Sequence, residues 1–210
     1  MSLAISFIVL ISAAPQSSSF QAEPSLQPVK LLNQGEDYPI CHISTPSDDR
    51  QVTAIAVDNH FYRFCCIQTD PAVTLDLLQT ASAEGKLTVM TATQREYRVW
   101  VHEPLATLAP STDQTPRPSL SAFGAANCWI IGDRPITFCD CTLNVPDFPD
   151  AVSGIAYRQK LFSFYCREQD AHTALNVGSS LSQRGDELVI SMTEDAYAVY
   201  LYEPGATITQ

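Results

Sequence analysis

A chain of 210 residues, 45% of them hydrophobic, has room for one or two globular domains and is too apolar to be disordered. Its formal net charge of −11, with 12 basic residues against 23 acidic ones, weighs against nucleic acid and against anionic membranes, both of which need a Lys/Arg surface. The same charge suits a soluble protein that resists self-association.

The N-terminus is apolar from Leu3 to Ala14. Such a run is shorter than the about 20 residues that span a bilayer, and it matches the apolar region of a signal peptide, with Ser12-Ala13-Ala14 as small residues at a cut site. Residues 1–27 therefore read as a signal peptide and polar leader, and the compartment as secreted, periplasmic or otherwise extracytoplasmic. The n-region lacks Lys and Arg, and Pro15 follows the most natural cut; a buried apolar segment is the alternative.

Beyond the leader the chain repeats itself. At a shift of 100, Cys41–Thr107 falls on Cys141–Thr207 without a gap, and nineteen of the 67 positions are identical. Unrelated segments agree at only about one position in sixteen, so the pattern reads as a tandem duplication. Repeat domain 1 spans 28–107, a Pro/Ser/Thr linker 108–127, and repeat domain 2 spans 128–210. Units this small have marginal cores and gain from covalent staples.

In the first copy Ile40–Ile43 reads as a strand, Thr45–Arg50 as a polar loop, and Val52–Val57 and Phe61–Ile67 as a hairpin turning at Asp58-Asn59. The period then changes. Asp70 before Pro71 is a helix cap with proline at the first helical position; Val73, Leu75, Leu77, Leu78 and Ala81 form an apolar stripe, and Gly85 is the stop. The second copy keeps Asp170 and Gly185 but carries Gly178 inside the helix, which weakens it. Leu87–Thr93 and Glu96–Val101 are two further strands. The order β-β-β-α-β-β predicts a mainly β protein with one short helix per repeat, a tandem of small five-stranded, OB-like β-barrels. An open sandwich, or a sheet with a helical cover, has the same order.

Strict alternation along the strands places Tyr97, Val99 and Val101 in the core, and likewise Tyr62, Phe64 and Cys66, with their counterparts 100 residues on. The opposite face of the last strand carries Trp100 and His102, and Tyr200 and Tyr202 in the second copy. This face either packs under the linker or the other domain, or is a candidate binding surface anchored by exposed aromatics.

Seven cysteines in an exported protein read first as disulfides. Cys41 and Cys66 recur as Cys141 and Cys166, so the expected bridges are Cys41–Cys66 and Cys141–Cys166. Cys128 and Cys139, opposite Pro28 and Pro39 at the shift of 100, form a third, and Cys65 is left as a free thiol. Buried thiols are the alternative. Cys139-Asp140-Cys141 with Cys166 is a weak pattern for a metal, since no second pair follows at zinc-site spacing, so no metal or other cofactor is expected. None of His42, His60, His102 and His172 recurs. Asp70 and Asp170 are explained as helix caps, and Glu103 and Glu203 by the strand end. No nucleophile elbow, phosphate loop or metalloprotease helix is present.

These features favour an exported tandem-domain binding or interaction protein without catalysis of its own, with a protein or a small apolar or saccharide ligand as partner. A secreted hydrolytic or thiol-redox enzyme, or a structural component of an envelope assembly, is the alternative.

Overall fold

The structure is a computed structural model and describes residues 26–33, 38, 40–46, 48–109, 125–132, 138–146 and 148–209. The leader at 1–25 and most of the linker, 110–124, lie outside these residues, as does the expected signal segment. No helix among the described residues is long and apolar enough to cross a membrane.

Among the described residues the protein is mainly β, with two helices. The first half contains β1 (Val29–Leu32), β2 (Ile40–Thr45), β3 (Asp48–Val57), β4 (His60–Gln68), α1 (Pro71–Ala83), β5 (Thr88–Ala92), β6 (Tyr97–His102) and β7 (Thr107–Leu108). The second contains β8 (Asn127–Ile131), β9 (Cys139–Asn144), β10 (Val152–Tyr157), β11 (Lys160–Glu168), α2 (Ala171–Gln183), β12 (Leu188–Met192), β13 (Tyr197–Tyr202) and β14 (Thr207–Ile208). Strand β3 begins at Asp48, inside the stretch expected to be a loop, because the chain reverses within the single turn after Thr45.

All fourteen strands form one sheet, in the order β14-β9-β10-β11-β13-β12-β8-β1-β5-β6-β4-β3-β2-β7. It is open at β7 and β14, so the expected closure of each half into a five-stranded barrel does not occur. The strand before each helical unit decides this. β1 runs parallel to β5 on one side and antiparallel to β8 on the other, with Val29 opposite Cys128. An edge that would have to close a barrel is thereby joined to the other half. The register also shifts the repeat by one residue here. Val29 pairs with Thr88 as Cys128 pairs with Leu188, so Cys128 corresponds to Val29 and not to Pro28.

Local sequence explains the elements. Asp70 accepts from the amides of Ala72 and Val73, Asp170 accepts from that of Thr173, and Gly85 and Gly185 take φ of +81° and +96° just past the helices. Asp58-Asn59 turn the β3–β4 hairpin with both φ positive, as the primed hairpin turns require. Arg158-Gln159 adopt the same left-handed conformation in the β10–β11 hairpin without the usual Asn or Gly, and the Arg158 guanidinium donates to the Leu26 carbonyl at 2.9 Å.

Both helices lie on one face over the seam between the halves. Val29, Leu31, Leu75, Leu78, Met90 and Val99 of the first half share one core with Cys128, Ile130, Leu175, Leu188, Ile190 and Val199 of the second. Ser82 and Ser182 bolt the helix ends to the strands through equivalent bonds, the hydroxyls donating to the carbonyls of Gln27 and Ala126 at 2.5 Å and 2.7 Å. Gly178 has a packing reason: a Cβ there would lie 3.0 Å from Ile190 Cδ1 and 3.1 Å from Leu31 Cδ1. The absence of a side chain lets α2 sit close to a strand of the other half. On the opposite face each half has its own cluster. One gathers Leu32, Ile55, Val57, Tyr62, Val89 and Trp100; the other gathers Trp129, Ile131, Ile155, Tyr157, Phe162 and Val189. The segments before β1 and β8 cross over, so that Leu26 joins the second half's cluster and Ala125 the first's.

Candidate binding site

Alternation along β4 is interrupted. Phe64 pairs with Trp100 and Cys66 with Val99, so a β-bulge inserts Cys65 and changes which face the following residues occupy. Tyr62 and Phe64 therefore stay on the face away from the helices while Cys66 turns to the helix side, against the expectation that all three share one face. The bulge recurs at Phe164/Cys166 with Tyr165 as the extra residue, which is 50% exposed.

The bulge and the sheet order also decide the cysteines. Cys41 and Cys66 share a face, as expected, though it is the helix side and not the face of Tyr62 and Phe64, and β3 lies between β2 and β4. Two strand spacings are about 10 Å, whereas bridged Cα atoms are 4.4–6.8 Å apart. Cys141 and Cys166 are likewise separated by β10. Cys128 is enclosed in the shared core, five strands from Cys139 in the sheet order. All seven cysteines are unbridged, and the three expected disulfides are not formed. Their environments differ instead. Cys65 and Cys139 are exposed, whereas burial pushes the Cys128 thiol far up and the Cys166 thiol, with the Glu168 carboxylate adding, up to about 11. Since the thiolate is the reactive form, iodoacetamide on the native protein is expected to label Cys65 and Cys139 first and Cys128 only after denaturation. Peptide mass spectrometry over time reads the order, and equal labelling of Cys128 and Cys65 would contradict the burial of Cys128. Among the described residues no group of three His, Cys, Asp or Glu side chains is placed to hold a metal ion.

The four aromatic candidates do not form one surface. Trp100 is 3% exposed, inside the first half's cluster, with its indole N–H donating to Thr91 Oγ1 at 3.0 Å and Phe64 edge-on at 5.3 Å. It is a core residue, so its place on an exposed binding face is corrected. His102 is wedged between His60, at 5.0 Å in a T-shaped contact, and Tyr62, at 5.4 Å. Burial, with His60 adding, pushes the His102 imidazole below its usual pKa. Tyr202 packs on Phe162 and lies under the Lys160 ammonium, 4.6 Å from the ring centroid, and Glu187 pairs with the same ammonium. That ring face already has its cation.

Of the four, Tyr200 lines a cleft. With Phe164, edge-on at 5.8 Å, it lines a surface cleft of ≈ 370 Å³ together with Asp140, Cys141, Thr142, Ser153 and Gly154. Phe164 is 44% exposed. Burial, then the Asp140 carboxylate, raises the Tyr200 phenol, which keeps it a neutral donor. The matching positions of the first half hold Ile40, Cys41, His42, Thr53 and Ala54, so a carboxylate has replaced an apolar group and a hydroxyl an imidazole on one side only, while Ser153 keeps the hydroxyl of Thr53. Gly154 sets the floor: a Cβ there would come within 2.4 Å of the Phe162 carbonyl oxygen. Sequence reasoning reached Tyr200 but missed Phe164, Asp140 and Ser153. Phe164 was placed in the core by strict alternation, and Asp140 was noticed only as the spacer between two cysteines.

The site thus combines two aromatic edges with a carboxylate, hydroxyls and the Cys141 thiol, and no metal-holding cluster is found among the described residues. Comparison of the chain with protein-family models, with curated proteins and with solved structures gives no match.

Proposed function

We propose that the protein is an extracytoplasmic binding protein without catalysis of its own, made by tandem duplication of an OB-like β-β-β-α-β-β unit whose sheet stays open. Its binding site is the cleft beside Phe164 and Tyr200, and its ligand is a small saccharide. The observation that carries the reading is the composition of that cleft: apolar ring surface for the C–H face of a sugar, beside Asp140, Thr142 and Ser153 as acceptors for its hydroxyls. Matching strand registers support the duplication, with Ala54 opposite Arg63 as Gly154 is opposite Ser163. Export rests on the apolar segment Leu3–Ala14 and no longer on disulfides.

The test is calorimetric titration of the full chain with a panel of neutral oligosaccharides, repeated on Tyr200→Ala and Asp140→Asn. Loss of an aromatic contact and of a charge-assisted hydrogen bond is each expected to weaken binding about tenfold, with the fold intact by circular dichroism. A folded protein that binds no member of the panel, or binds it equally well without Tyr200, would contradict the proposal.

A further inference from the structure

A second cleft lies on the helix side, across the seam, and the molecule contains its own comparison. Ala72 and His172 are the second residues of α1 and α2, and Tyr97 and Tyr197 open β6 and β13. At one of the two equivalent places the Tyr97 hydroxyl and His172 Nδ1 are 2.6 Å apart, and His172 Nε2 is 2.9 Å from the Asn176 side-chain amide. The imidazole, edge-on to Tyr97 at 6.4 Å, bridges a tyrosine of one half and a helix of the other.

At the other place the imidazole is missing, because α1 has Ala72 there. What remains is a cleft of ≈ 400 Å³ lined by Ala72, Asp76 and Gln79 of α1 and by Met192, Thr193 and Tyr197 of the second half. Asp76 stands where Asn176 does, and Tyr197 where Tyr97 does. Gln79 lines the cleft and is only 6% exposed, and among the described residues its Nε2 has no hydrogen-bond partner. A buried amide donor without an acceptor is costly, and a ligand atom with a lone pair would satisfy it. Gly132 leaves the approach clear, since a Cβ there would lie 3.5 Å from that nitrogen and 3.2 Å from Met192 Cε.

We propose that this cleft binds a small planar nitrogen heterocycle of the imidazole class, which takes the place that His172 fills on the other side. Such a ring offers one N–H donor, for the Asp76 carboxylate, and one lone-pair nitrogen, for the Gln79 amide. Its edge packs on Tyr197 and its flank on Met192 and the Ala72 methyl. A carboxylate ligand is disfavoured by Asp76, and by Asp70 and Asp170, whose charges also reach the Tyr197 phenol.

The test uses imidazole itself as the probe, at mildly alkaline pH where the ring is neutral, with backbone amide NMR shifts of the full chain as the readout. Saturable shifts are expected at Asp76, Gly132 and Tyr197. Ala72→His, which rebuilds the other side's contact, is expected to abolish them and to leave the remaining spectrum in place. Gln79→Leu is expected to weaken binding about tenfold, and it decides the matter if Ala72→His does not fold. No saturable shift at these amides in the folded wild type, or unchanged affinity in either folded variant, would overturn the proposal.

Discussion

Trp100→Ala is expected to lower the stability of the protein by roughly 3–5 kcal/mol, the range for removing a fully buried aromatic side chain. The side chain is 3% exposed, packs with Leu32, Ile55, Tyr62 and Val89, and holds Thr91 through its indole N–H. The substitution leaves a cavity under a sheet face that no helix covers, and it orphans the Thr91 acceptor. Chemical denaturation reads the loss directly. The contrast with Tyr200→Ala is informative, because Tyr200 occupies the same strand position in the second half but is half-buried. Its loss is expected to cost less than about 1.5 kcal/mol of stability while weakening binding about tenfold. Equal destabilisation by the two substitutions would contradict the different roles given to them.

Gly178→Leu is the second large effect. It installs the residue that α1 carries at the matching position, where Leu78 is fully buried. In α2 the Cβ alone would press on Ile190 and Leu31, at 3.0 Å and 3.1 Å, and the other side-chain carbons would have to part the helix from β1. Overpacking of this kind costs about 3 kcal/mol at its upper end, and the gain in helix propensity from replacing glycine returns at most about 1 kcal/mol. Net destabilisation by about 2 kcal/mol is expected, seen as a lower midpoint with the helical signal retained at low denaturant. A more stable Gly178→Leu protein would mean that α2 does not lie against β1.

Much of this architecture was legible in the residues. The caps Asp70 and Asp170, the stops Gly85 and Gly185, the Asp58-Asn59 turn and five of the seven strands of each half follow from local chemistry. The misreadings have physical causes. β1 is four residues long with no alternation to mark it, yet it joins the halves and so keeps the sheet from closing. The bulge at Cys65 shifts the phase of β4 by one residue, which no periodicity argument detects, and it moves Cys66 off the face of Tyr62. The cysteine pairing assumed that a shared face brings side chains together, but β3 and β10 intervene. Trp100 and Tyr200 occupy matching positions with matching cross-strand partners, Phe64 and Val89 against Phe164 and Val189, so the difference in their burial could not be read from the repeat.

The central claim is that the two halves are one cooperative body, joined through β1 and β8 under a shared core. The chain's two tryptophans, Trp100 and Trp129, lie in different halves. Trp100→Phe leaves only Trp129 as a fluorophore, and Trp129→Phe leaves only Trp100. Denaturant unfolding of each variant, followed by tryptophan fluorescence and by far-ultraviolet circular dichroism, is the most direct measurement. In each variant the two signals are predicted to coincide in midpoint and slope, because losing one half exposes Leu31, Cys128 and Ile130 of the common core. A fluorescence transition displaced from the circular dichroism transition, in opposite directions for the two variants, would show two independently folding domains and would contradict the account.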